Sequence, residues 1–276
     1  MIGALIIVFR EVLEAGLVVG IVLAATKGLA HRGLWVGFGV VGGTLGSAIV
    51  ALFAGQLSAL FEGTGQELFN AAILAVAVVM LAWHLSWMAS HGRELTAELK
   101  SVGREVAAGR RPLTALAVVV GVAVLREGAE VVLFLYGILA AGGTTAASVA
   151  LGGLLGIAAG AGVSAAIYFG LTAIPVRHLF RLTTVLIALL AAGLAAQCVG
   201  ILQSAGYMQS LSTPLWNTSG ILAEDSIAGR ILHTLIGYTD QPSGLQLLVY
   251  LGIIALIVAL TRWSSYQAAQ PRPRHP

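Results

Sequence analysis

Apolar runs of about 20 residues dominate the chain and are broken by short polar stretches. Seven such runs stand out, over 2–26, 34–56, 67–89, 113–141, 145–171, 180–205 and 245–262. Each is long enough for a helix to cross the hydrocarbon of a bilayer. The pattern predicts an all-α integral membrane protein with seven transmembrane helices. They form a single transmembrane domain over 1–263, followed by a cytoplasmic tail over 264–276. One stretch has a different rhythm. Within 93–108, Leu95, Leu99, Val102 and Val106 fall at i, i+4, i+7 and i+11, which predicts a short amphipathic helix lying on the inner membrane surface.

Composition agrees with the pattern. Hydrophobic residues make up 58% of the 276 positions and charged residues 10%, whereas a soluble domain carries about 25% charge. The formal net charge of +3 raises the question of nucleic acid, and the placement of the charges answers it. Twelve Lys and Arg residues fall in alternate loops and the C-terminal tail, among them Lys27, Arg32, Lys100, Arg104, Arg110 and Arg111; the opposite loops hold only Arg230. Cytoplasmic loops carry the positive excess, so the N-terminus is expected outside and the C-terminus inside, and nucleic acid is not a partner. The outer loops carry Glu62, Glu67, Glu224, Asp225 and Asp240. An acidic outer face concentrates cations; plain solvation of the loops is the alternative. The one cysteine, Cys198, excludes an intrachain disulfide.

Two spans contain charges where lipid would be. "REVLEAGLVVGIVLAA" begins at Arg10 and "REGAEVVLFLYGILAA" at Arg126, an offset of 116. Arg10, Glu11 and Glu14 fall on Arg126, Glu127 and Glu130, and further on Gly37 meets Gly153 and Gly46 meets Gly162. A repeat of three spans is an odd number, so its second copy would sit upside down. We therefore expect a 3+3 inverted repeat (repeat one 1–90, repeat two 113–206), an outer loop over 207–244 and a seventh helix over 245–263. Inverted repeats are common in secondary transporters, whose sites lie near the bilayer midplane between the repeats.

Arg10 lies about 12 Å into its span at 1.5 Å per residue. A charge at a helix centre costs roughly 2.5–3.5 kcal/mol, so these groups must face a protein interior or a wet cavity. On each helix the three charges share an arc of about 100°, and Arg to Glu at i, i+4 permits an ion pair. Four glutamates and two arginines leave a charge of −2, which suits a cation in transit. Carboxylates are hard ligands for Fe, Mn, Mg or Ca rather than Cu(I). Two Arg–Glu pairs that merely lock helices would need only one Glu per motif.

Two R-E-x-x-E motifs on spans one and four of a seven-span protein resemble the oxidase-dependent iron transporters, the iron/lead permease family. "RELTAELK" after span three and "EDSIAGRILHTLIGYTDQPSG" at 224–244 extend the resemblance over nearly the whole chain. The resemblance implies import of Fe2+ or Fe3+ across a bacterial inner (plasma) membrane, with Glu11, Glu14, Glu127 and Glu130 as metal ligands and Arg10 and Arg126 as their partners. It implies no resident cofactor, iron being the cargo. Fungal members work with a multicopper ferroxidase and bacterial members with a periplasmic haem peroxidase and an iron-binding protein. The short chain looks more like the bacterial ones, so an extracytoplasmic oxidase or peroxidase and an iron-binding protein are the expected partners.

The remaining polar residues have weaker claims. Glu224 and Asp225 precede an expected short outer helix and would cap it or capture iron. His84, between Trp83 and Trp87, is expected at the membrane interface, with a ligand role as the alternative. Gln197 is explained by a helix–helix hydrogen bond, with a supporting ligand role as the alternative. A carrier for manganese or lead would use the same site. An intramembrane metalloprotease would need a zinc motif such as H-E-x-x-H, and the sequence has none, so no enzymatic activity is expected.

Overall fold

The computed structural model describes residues 1–60, 66–142, 144–170, 176–224 and 226–269. These form eight α-helices: α1 (Ile2–Ala25), α2 (Arg32–Leu60), α3 (Gln66–Ala107), α4 (Thr114–Ala140), α5 (Ala146–Tyr168), α6 (Val176–Ser204), α7 (Ile227–Ile236) and α8 (Gly244–Ala269). The described residues contain no β-strand, only an isolated bridge between Pro214 and Ser243. Glu62, Asp225, Arg272 and Arg274 lie outside the described residues, as does the tail from 270 onward.

Among the described residues, five segments are long and apolar enough to cross a membrane: Arg32–Gln56, Gln66–Gly92, Ala146–Tyr168, His178–Ser204 and Gly244–Ser264. Their outward faces keep large apolar side chains exposed, as at Phe38, Leu45 and Leu52 on α2 and Leu154 on α5. Helices apolar all round belong in lipid or in a large core. α1 and α4, with 24 and 27 residues, are about 36 and 40 Å long. Each carries the three charges of its motif, so neither is uniformly apolar.

The helices α2, α4, α1 and α5 form a row, with α3, α6 and α8 packed behind it. Within the row, α2 runs alongside α4 and α5 alongside α1. The approach is close because glycines face backbone. A Cβ at Gly43 would stand 2.6 Å from the Gly121 carbonyl oxygen on α4, and one at Gly156 would stand 2.8 Å from that of Leu5 on α1. Small residues at these positions allow helices in lipid to touch. Gly39 over Ala117 and Gly152 over Met1 continue the two seams. The contacted carbonyls are 116 residues apart, but the glycines are 113 apart. The pairing of Gly37 with Gly153 and of Gly46 with Gly162 is thus corrected: Gly37, Gly153 and Gly162 face open space. The chain takes three more residues to reach the first seam's glycine from Arg10 than to reach the second's from Arg126, so a constant offset slips one helix later.

α1 and α4 are antiparallel. Ala4 and Ile7 pack with Phe134 and Ile138 in one apolar cluster, while Val18 and Val22 pack with Leu116 and Val120 in another. The motif charges lie between the two clusters. The expected surface helix over 93–108 is corrected too. α3 runs unbroken for 42 residues, and Leu99, Val102 and Val106 are buried against α1 and α4 rather than turned to the membrane surface. The amphipathic stripe is present, and its partner is protein.

Candidate functional site

The site is assembled where α1, α3 and α4 meet. On α1, the Arg10 guanidinium lies 2.8 Å from Glu14 and 3.4 Å from Glu11. All three side chains are buried, Arg10 to 2% exposure. On α4, Arg126 Nε donates to Glu130 Oε1 at 3.2 Å and stands 3.9 Å from Glu127. Arg126 keeps 30% of its side chain exposed, and its guanidinium carbon sits 4.1 Å from the centre of the Trp87 ring. The i, i+4 ion pair expected within each motif therefore forms on both helices.

His84 on α3 completes the group. It is 1% exposed. Its Nδ1 contacts Glu130, and its Nε2 lies 3.7 Å from Glu14 and 4.0 Å from Glu11. The expected interfacial place for His84 is corrected. Trp83 is the residue that faces outward, 59% exposed. A step of one residue turns a helix by about 100°, which carries His84 inward. Neighbouring tryptophans signalled the interface in the sequence, but they could not say which side of α3 faced lipid.

Glu11, His84, Glu127 and Glu130 each offer a ligand atom within 4.8 Å of the others, and all four are buried. Glu14 is the motif glutamate left outside this set, drawn toward Arg10. Oε2 of Glu11 and of Glu127 are buried without a hydrogen-bond partner among the described residues. Buried carboxylate oxygens left without donors are costly, and a cation would satisfy them. Three carboxylates and an imidazole are a mixed oxygen and nitrogen set. Such a set suits a first-row divalent ion better than Mg2+ or Ca2+, which favour oxygen alone. Glu11 and Glu127 also line a cavity of about 760 Å³ between α2 and α5, with Ser47 and Ser164 on its walls.

Toward the N-terminal end of α1 lies a second cavity, of about 890 Å³, lined by Met1, Thr144, Ser148, Gln197, Glu224 and His233 among others. Glu224 Oε1 is 3.1 Å from His233 Nδ1, and the Glu224 amide donates to Asp240 at 3.3 Å. Glu224 does not cap α7. That role falls to Ser226, whose hydroxyl accepts from Gly229 N at 2.9 Å. Gln197 donates to the Ala141 carbonyl at 2.6 Å, the helix–helix hydrogen bond expected of it. His233 was not singled out by the sequence. Its place at i+9 from Glu224, across a turn and one helix, gave no periodic signal.

Comparison with known proteins sets this geometry in context. The model of a family described as the iron permease FTR1 family matches residues 1–266. The chain is 30% identical over 263 residues to proteins named ferrous iron permease EfeU from Shigella sonnei (strain Ss046) and Escherichia coli O157:H7, covering 94% of this chain and of each relative. It is also 30% identical over 259 residues to the protein of that name from Yersinia pestis, covering 92% of this chain and 90% of the relative. No solved structure matches the chain.

Proposed function

The chain belongs to the iron permease FTR1 family, and from its site we propose that it carries ferrous iron inward through Glu11, His84, Glu127 and Glu130. As a family member related to EfeU over nearly its whole length, it is a multi-pass membrane iron permease. The observation that carries the site is the buried set of four ligand residues drawn from three helices, with carboxylate oxygens that lack donors. In this reading Fe2+ sheds water to the three carboxylates and His84. Arg10 and Arg126 hold the glutamates when the ion has left, which keeps the site from binding too tightly to release. Conduction requires that balance. The relatives are named for ferrous iron, and the nitrogen donor fits that ion.

The seven-span reading counts α1 and α4 as membrane helices. Their length supports it, as does the burial of their charges against one another. The matched seams of α1 with α5 and α2 with α4 support an inverted repeat. The basic loops favour an outside N-terminus and an inside C-terminus. On this orientation the cavity at Met1 is the outer vestibule. Glu224 with His233 captures the ion there, about 15 Å along α1 from Glu11. Delivery by an extracytoplasmic oxidase or peroxidase and an iron-binding protein belongs to this proposal.

Uptake of radioactive iron by cells lacking their own high-affinity importers tests it. Wild type is compared with Glu11→Gln and Glu127→Gln at matched membrane expression, with iron kept reduced or oxidised and with Mn2+ as competitor. Loss of uptake in both variants is expected. Wild-type uptake in both would overturn the site, and stronger competition by Mn2+ than by iron itself would reassign the cargo.

A further inference from the structure

The two arginines are equivalent in the motif but not in the structure. Each stands just before its glutamates in the chain, and α1 and α4 are antiparallel. Arg10 therefore flanks the ligand cluster on the side of Ala4, Ile7 and Phe134, whereas Arg126 flanks it on the side of Val120 and the long inner part of α3. The cluster lies between two guanidinium groups, one toward each end of the α1–α4 pair. Arg10 is sealed at 2% exposure; Arg126 is 30% exposed.

What holds Arg126 is aromatic. Its guanidinium lies over the Trp87 ring at 4.1 Å, within the range of a cation–π contact. Trp87 follows His84 by three residues on α3, about one turn further from Arg10. The indole is fixed in turn. His91 stacks on it with ring centres 5.1 Å apart and planes 8° from parallel, and Ser90 holds the His91 Nδ1 at 2.7 Å. Arg126 Nη2 is buried with no hydrogen-bond partner among the described residues, so the ring face and the two glutamates are its main restraint.

We propose that Trp87 is a positioning residue that latches Arg126 as the inner gate of the transport path. The proposal rests on the permease reading for its purpose. Arg126 closes the cluster on the inner side while it contacts Glu127 and Glu130. It opens the path when it swings away along the indole, and Trp87 sets how readily it leaves. Arg10 closes the opposite side and is shut here.

Site-resolved labelling of arginines with phenylglyoxal in the purified detergent-solubilised protein tests the latch without requiring transport. Trp87→Leu removes the ring face; Trp87→Phe and Trp87→Tyr keep one. In Trp87→Leu, Arg126 labelling should rise about five- to tenfold, the range that a partly desolvated cation–π contact sustains. Both aromatic variants should stay near wild type, and Arg10 labelling should not change. Equal labelling of Arg126 in Leu and Phe variants would overturn the proposal. So would a matching rise at Arg10, because general loosening would then explain the result. In proteoliposomes, Trp87→Leu should raise the maximal rate of iron uptake about fivefold, because the gate leaves more readily, while leaving the half-saturating concentration within about twofold. Unchanged transport despite faster labelling would remove the gate. A wild type that carries no iron would defeat the permease reading, while the labelling would still decide whether Trp87 holds Arg126.

Discussion

Replacing His84 is the sharpest test of the ligand set, because the histidine lies outside both motifs. His84→Leu removes both ring nitrogens while keeping an apolar side chain in a position that is 1% exposed. Two effects follow from the geometry. The cation loses its one nitrogen ligand, and Glu130 and Glu14 lose the imidazole that contacts them. Even a lost outer-shell partner costs a metal site about 10- to 100-fold in affinity, so loss of the nitrogen ligand itself should raise the half-saturating iron concentration by about tenfold or more. His84→Asp should behave differently. It makes the set all oxygen, so discrimination against Mg2+ should fall even where some iron uptake survives. The assay is initial-rate uptake of radioactive iron over a range of concentrations, repeated with Mg2+ and Mn2+ as competitors, with expression checked in the membrane fraction. A half-saturating concentration and a competition pattern unchanged in both variants would refute the reasoning. His84 would then be a packing residue, and the site would reduce to carboxylates.

Other consequences are simpler to measure. Arg10→Gln should lower the melting temperature of the detergent-purified protein more than Arg126→Gln, because it removes the guanidinium that pairs with the buried Glu11 and Glu14, a loss of up to about 3–5 kcal/mol, whereas Arg126 is 30% exposed. Gly43→Leu should abolish membrane accumulation, since even a Cβ there meets the Gly121 carbonyl at 2.6 Å; Gly37→Leu, facing open space, should accumulate normally. Leu99→Glu should destabilise the protein by about 2 kcal/mol or more, since it buries a charge between α3 and α1, whereas a surface-lying helix would tolerate it. Glu224→Gln should reduce uptake at low iron concentration and spare it at saturation, and equal loss at both would argue against outer capture.

The all-helical, membrane-spanning class was legible in the sequence, since the apolar runs are long. The motif glutamates were legible for the same reason: charge inside an apolar run needs a partner, and two matched runs offer it. What could not be read was rotation. The stripe Leu95, Leu99, Val102 and Val106 gave an amphipathic helix, but periodicity does not distinguish a membrane surface from the flank of α1. His84 was misplaced because adjacent tryptophans are an average signal, while its own direction depends on the 100° between it and Trp83. The register of the glycine seams failed by three residues because extra residues between motif and seam move a helix's contacts without altering its composition. Capping of α7 went to Ser226, whose hydroxyl is nearest the first free amides; the acidic pair before it was the more visible signal.

The glycine seams decide which parts of the molecule can move. α1 is fastened to α5, and α2 to α4, by backbone contacts too tight to slide past a side chain. Each fastened pair draws one helix from either half of the sequence. Neither half can swing as a block without tearing a seam. Any rigid-body displacement that spares the seams would carry α1 with α5 and α2 with α4, and would separate Glu11 from Glu127 and Glu130.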